Sequence, residues 1–115
     1  MEKHIEAELA RKRIYIAGPY TKPDPCINTN IAIKIANDLW DEGYAPFIPH
    51  LSHFWHTVTP KPYPEWLAID RCWVAACHAV LRFDGFSSGA DQEVALANEL
   101  GIPVFYSIEK LREAI

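Results

Sequence analysis

Short apolar runs and helical stripes alternate along this chain. Residues 14–17 (Ile14, Tyr15, Ile16, Ala17) form an apolar run that ends at Gly18-Pro19. That is the pattern of a buried strand with a sharp exit. Ile27, Ile31, Ile35 and Leu39 recur at helical spacing and predict a helix over 27–42, stopped by Gly43. Residues 45–48 predict a second strand, at a sheet edge because it contains Pro46. Residues 49–64 read as a long connection rich in proline, histidine and aromatics, a length that goes with function or mobility. Residues 65–78 are apolar on nearly every side and predict a buried helix. A third strand follows at 79–83, a tight loop at 84–88, and a helix at 89–100 stopped by Gly101. Residues 103–106 and 108–115 predict a fourth strand and a closing helix.

Strand and helix thus take turns. The expectation is an α/β domain: a Rossmann/flavodoxin-like parallel sheet of four or five strands, with helices on both faces. One domain spans 1–115, with residues 1–12 as an N-terminal extension. Ligands of such sheets bind beyond the carboxyl ends of the strands. The candidate contacts are therefore in residues 18–21, 50–56 and 84–88 and in the first helical turns. These supply Gly18, Tyr20, Asn28, His50, His53, Trp55, Asp84, Ser87 and Gly89.

Several polar residues fall on apolar faces. Ala90, Val94, Ala97 and Leu100 mark the inward side of their helix, and Glu93 lies within that stripe. A buried carboxylate is costly unless it is paired or its pKa rises. Glu93 therefore implies either a cavity with a purpose or an internal hydrogen bond or ion pair. Asp70 sits among Trp66, Trp73 and Cys77, and either serves a site, pairs with an arginine, or forms a solvated tip beside a groove. Asn28 aligns with Ala32, Ile35 and Leu39, and capping is its preferred role. Ser88 fits a Ser-x-x-Asp cap with Asp91, which leaves Ser87 free to donate to a phosphate beside a helix N-terminus. His50, His53 and His56 match no zinc template, and no metal is expected. They and Phe54-Trp55 either line an aromatic pocket that stacks a planar base or divide into core aromatics and surface histidines.

Composition narrows the classes. Half of the 115 residues are hydrophobic, enough for a core, so the chain is not disordered. Fifteen acids against 11 bases give a net charge of -4, which argues against a duplex nucleic-acid binder but not against a small anion. Cys26, Cys72 and Cys77 form no disulfide framework and point to the cytoplasm. The first residues read as no signal peptide, and no run is long enough to cross a membrane. The five glycines give neither a dinucleotide fingerprint nor a Walker loop, which excludes ordinary dehydrogenases and P-loop kinases.

Four segments, RIYIAGPYT, GYAPFIPHLSHFW, WLAIDRCW and SSGADQEVALANELGIPVF, together resemble the nucleoside 2-deoxyribosyltransferase-like superfamily. The likeness spans about residues 12–110 and is nearest a small branch marked by AGPY and PH-HFW, related to the nucleotide N-glycoside hydrolases. The resemblance implies cleavage of the bond between a sugar C1′ and a nucleobase, in which a glutamate holds the sugar covalently until water or a second base takes it. By motif position (Ser87, Gly89, Glu93) that glutamate is Glu93. Asp70 matches the family's aspartate that positions the sugar or assists proton transfer, and Tyr15 its early aromatic. Gly18 would give the backbone room to approach the ligand, and Ser87 would bind a 5′-phosphate, a tilt toward monophosphates. The PH-HFW segment departs from the better-known branches and leaves base and acceptor open.

Glu93 is expected to stay ionised beside the helix dipole, and no cofactor is needed. The family commonly assembles so that a neighbour closes the pocket. A homo-oligomer is therefore expected, with Trp40, Trp55, Trp66 and Trp73 as interface candidates. The contrasting hypothesis is a nucleotide-binding or sensor module without turnover.

Overall fold

The computed structural model describes residues 1–115. Its elements are α1 (Lys3–Leu9), β1 (Arg13–Ala17), α2 (Pro25–Asp41), β2 (Ala45–Phe47), a single 3₁₀ turn (Pro49–Ser52) and α3 (His53–Val58). Then come α4 (Tyr63–Ala76), β3 (Ala79–Arg82), α5 (Ser88–Leu100), β4 (Val104–Phe105) and α6 (Ile108–Ala114). The four strands form one parallel sheet in the order β2-β1-β3-β4. The sheet is flavodoxin-like, as the alternation of elements predicts.

Alternation along β1 builds two cores. Ile14 and Ile16 face α2 and α6 and pack with Ala32, Leu39 and Leu111. Tyr15 and Ala17 face α4 and α5 and pack with Val74, Ala90 and Ala97. A strand with side chains buried on both faces must be central, and β1 is paired on both edges. The chain leaves β1 toward β2 on one side and resumes at β3 on the other. That reversal opens a crevice at the carboxyl ends of β1 and β3.

Four expectations are corrected. The buried stripe of α2 is Asn28, Ala32, Ala36 and Leu39, while Ile27 and Ile31 are exposed. Small residues face the sheet because they let the helix approach it; the larger isoleucines flank that contact. The helix also starts at Pro25, where Asp24 Oδ1 accepts the N–H groups of Cys26 and Ile27. Residues 49–64 are not one loop, since they contain the 3₁₀ turn and α3. The helical pattern is hidden there because α3 buries none of its residues. Finally, α4 is not a buried helix: only Val74 is fully covered, and Tyr63 and Trp73 stay half exposed. It lies across one face of the sheet, with no further layer above it.

Candidate active site

A cavity of about 570 Å³ lies in the crevice. Its most deeply buried acid is Glu93, which is 6% exposed. The helix carrying it turns Ala90, Glu93 and Ala97 toward the sheet, and the two alanines leave room for one longer side chain. Glu93 Oε2 accepts a hydrogen bond from the Tyr15 hydroxyl at 2.5 Å. Tyr15 is fully buried, and its ring stacks on Phe47, which stacks on Trp73 of α4. This aromatic tier fixes the hydroxyl where the carboxyl needs it.

Asp70, from α4, lines the same wall, near enough to Glu93 for each carboxyl to influence the other's protonation. It makes no ion pair with an arginine. Burial raises both acids. Glu93 is pushed up to about 8, chiefly by desolvation; the Tyr15 hydrogen bond opposes this, and the neighbouring Asp70 adds to it. Asp70 rises to about 6 through burial, and the neighbouring Glu93 carboxyl limits the rise. Burial thus holds both acids toward their neutral forms, and around neutrality the pair shares a proton. This corrects the expectation of a dipole-stabilised, ionised Glu93. The residue lies beyond the first turn of α5, where the dipole has faded, and burial dominates.

The loop after β1 is clasped from beneath. His50, 4% exposed, donates from Nε2 to the carbonyl of Pro19 at 2.9 Å. Burial lowers its pKa, so the ring is neutral and Nδ1 carries no proton. The buried Asn28 amide donates to the carbonyls of Tyr20 and Lys22, both at 2.9 Å. Asn28 therefore does not cap α2. It holds the loop that carries Tyr20 and Lys22, and Asp24 is the cap.

The cavity brings together Gly18, Tyr20, His50, His53, Ser87 and Gly89 with Asp70 and Glu93. Tyr15 lies beneath Glu93 and Asn28 behind the loop. Two expected contacts fall elsewhere. Trp55 packs edge-on against Trp66 and is half exposed outside the cavity. Asp84 lines a second hollow of about 390 Å³ on the other side of α5, with Arg82 and Asp91.

Two assignments change role. Ser87, not Ser88, is the N-cap: its Oγ accepts from Ala90 N–H at 3.1 Å. It lines the cavity all the same, and its O–H remains free to donate. Gly18 is required by packing. A Cβ there would lie 2.2 Å from the Phe83 ring, so its missing side chain makes room for Phe83 rather than for a ligand.

Sequence reading missed Lys22 and Lys61, which also line the cavity, and Arg82, which is buried at the end of β3. Arg82 donates to the carbonyls of Phe83 and Gly85, pairs with Asp91 at 3.2 Å, and lowers the pKa of Glu93. Its signal was one cation inside an otherwise apolar strand. The three cysteines are free, and no group of three or more His, Cys, Asp or Glu is arranged to hold a metal ion.

The architecture is that of the flavodoxin-like class of parallel α/β proteins. A solved 2-deoxyribosyltransferase from the psychrotolerant bacterium Bacillus psychrosaccharolyticus, a biocatalyst for nucleoside synthesis, has the same fold. The TM-score is 0.56 at 20% identity, covering 84% of this chain and 75% of that one. The chain itself belongs to the DUF7768 family, described as a domain of unknown function, whose model matches residues 12–107. No curated protein matches the sequence. No helix is long and apolar enough to cross a membrane.

Proposed function

We propose that the protein breaks the N-glycosidic bond of a nucleoside or nucleoside 5′-monophosphate, with Glu93 as nucleophile and Asp70 as proton carrier. One observation carries this reading: the Glu93 carboxyl is sunk in the cavity between the Tyr15 hydroxyl and Asp70, at the ligand-binding crevice of the sheet. The shared fold with a 2-deoxyribosyltransferase supports it.

The chemistry follows from the shared proton. As substrate enters, the proton passes from Glu93 to Asp70, which leaves Glu93 ionised. A Glu93 oxygen bonds to C1′ while the C1′–N bond breaks and its electron pair leaves with the base. Asp70 gives its proton to that base. Water or a second base then attacks C1′, Asp70 takes the attacker's proton, and the Glu93–sugar bond breaks. The Tyr15 hydroxyl favours ionised Glu93 throughout, because it donates to the charged form.

Incubation with a panel of nucleosides and their 5′-monophosphates tests the reading by release of free base. Glu93→Ala should lower that release by roughly a thousandfold or more, the scale of losing a nucleophile. Undiminished release would remove the mechanism. A second reading, a nucleotide-binding module without turnover, is favoured by the burial of Glu93, which pushes its carboxyl toward the protonated form that is no nucleophile. Nucleotide binding in calorimetry with no product from any substrate would select it. The free cysteines fit a cytoplasmic setting, and the exposed tryptophans Trp40 and Trp73 fit a homo-oligomer.

A further inference from the structure

The cavity has two chemically opposite ends. Its only acidic lining residues are Asp70 and Glu93, with Glu93 the deeper. The shallower part carries Lys22, Lys61, His53 and His56. Neither lysine is paired with a carboxylate: the four ion pairs of the protein involve other residues. In a chain with a net charge of -4, two unpaired cations lining one crevice stand out.

These groups are also held in place. The Lys22 carbonyl is fixed by the buried Asn28 amide, so the backbone that presents this side chain is anchored. The Lys61 ammonium lies 5.5 Å from the centroid of the Trp55 ring, a cation–π approach that limits its wandering. Nδ1 of His56 accepts two hydrogen bonds, from the Trp66 indole N–H at 2.7 Å and from the Lys61 backbone N–H at 3.2 Å. With Nδ1 occupied as an acceptor, the ring proton must sit on Nε2, and that N–H is the one the ring has left to give. The outer cavity thus offers hydrogen-bond donors and positive charge and no carboxylate.

We infer that Lys22, Lys61 and His56 form an anion subsite that takes the phosphate of a nucleoside phosphate, while its sugar reaches toward Glu93. The subsite rests on the glycosidic reading for the sugar's position, but it is built on α3, the turn between α3 and α4, and the loop after β1, apart from the Ser87 turn. Ammonium groups and an imidazole N–H suit a phosphate monoester, and the deeper acids repel one, so the charge pattern also orients the ligand.

Calorimetric titration with 2′-deoxynucleosides, their 5′-monophosphates and inorganic phosphate tests this. The wild-type protein should bind a monophosphate about tenfold or more tighter than the matching nucleoside, and the preference should shrink with added salt. The Lys22→Ala/Lys61→Ala double variant should lose most of that preference and keep nucleoside affinity within about twofold; Lys61→Arg should retain it. Equal affinity for nucleoside and monophosphate in the wild type overturns the subsite. So does an equal loss for both ligands in the double variant, no binding by any member of the panel, or inorganic phosphate binding as tightly as the nucleotide. The two readings fail separately. Lysine-dependent nucleotide binding with no base released sinks the chemistry and leaves the subsite. Base release from a monophosphate that is indifferent to both lysines sinks the subsite alone.

Discussion

Burial holds Glu93 toward its protonated form, and this ties stability to pH. Its folded pKa lies above the ordinary 4.5, near 8, so between those values the native state binds a proton that the unfolded chain has released. Stability must then fall as pH rises through that window, and Asp70, raised from 3.8 to about 6, adds a fall of the same sign at lower pH. Glutamine mimics the protonated carboxyl and does not titrate. Glu93→Gln should therefore gain on the wild type as pH rises to 8, by up to about 4 kcal/mol in chemical denaturation, with the gain vanishing toward pH 4.5. A difference that stays flat with pH would show that Glu93 titrates normally. This residue was legible in the sequence, because a glutamate in an alanine-lined stripe violates helical periodicity. Its protonation was not legible, because that depends on how deeply the fold buries it and on the balance between Asp70, which adds to the rise, and Tyr15, which opposes it.

At the scale of elements, strands were read well and surfaces poorly. β1 announces itself because burial on both faces demands an unbroken apolar run. α3 does not, because a helix that buries nothing has no stripe to reveal it. The Ser87 and Ser88 roles were exchanged because a cap is fixed by a backbone turn that one residue of sequence offset does not resolve. Gly18 shows the same limit. The need for glycine comes from Phe83, brought alongside by the pairing of β1 with β3. Gly18→Ala should consequently destabilise the fold by about 1–3 kcal/mol in thermal or denaturant unfolding, the range of an overpacked core. An alanine variant as stable as the wild type would mean that the Phe83 ring moves aside freely.

The whole molecule reads as a thin scaffold around one charged crevice. Four strands and the helices on their two faces suffice to close the core, yet Ile27, Ile31, Trp40, Trp73 and Phe54 remain exposed. So many large apolar groups on a chain of 115 residues fit association of copies. Light scattering at micromolar concentration should accordingly give at least a dimer mass, and a monomer mass would contradict the assembly.

The most direct measurement is the mass of the intact protein after brief exposure to mixed nucleosides and 5′-monophosphates, followed by peptide mapping. The account predicts an added sugar, on the peptide bearing Glu93, that is absent from Glu93→Ala. A sugar mapped to another side chain, or base released while no Glu93 adduct ever forms, would contradict it.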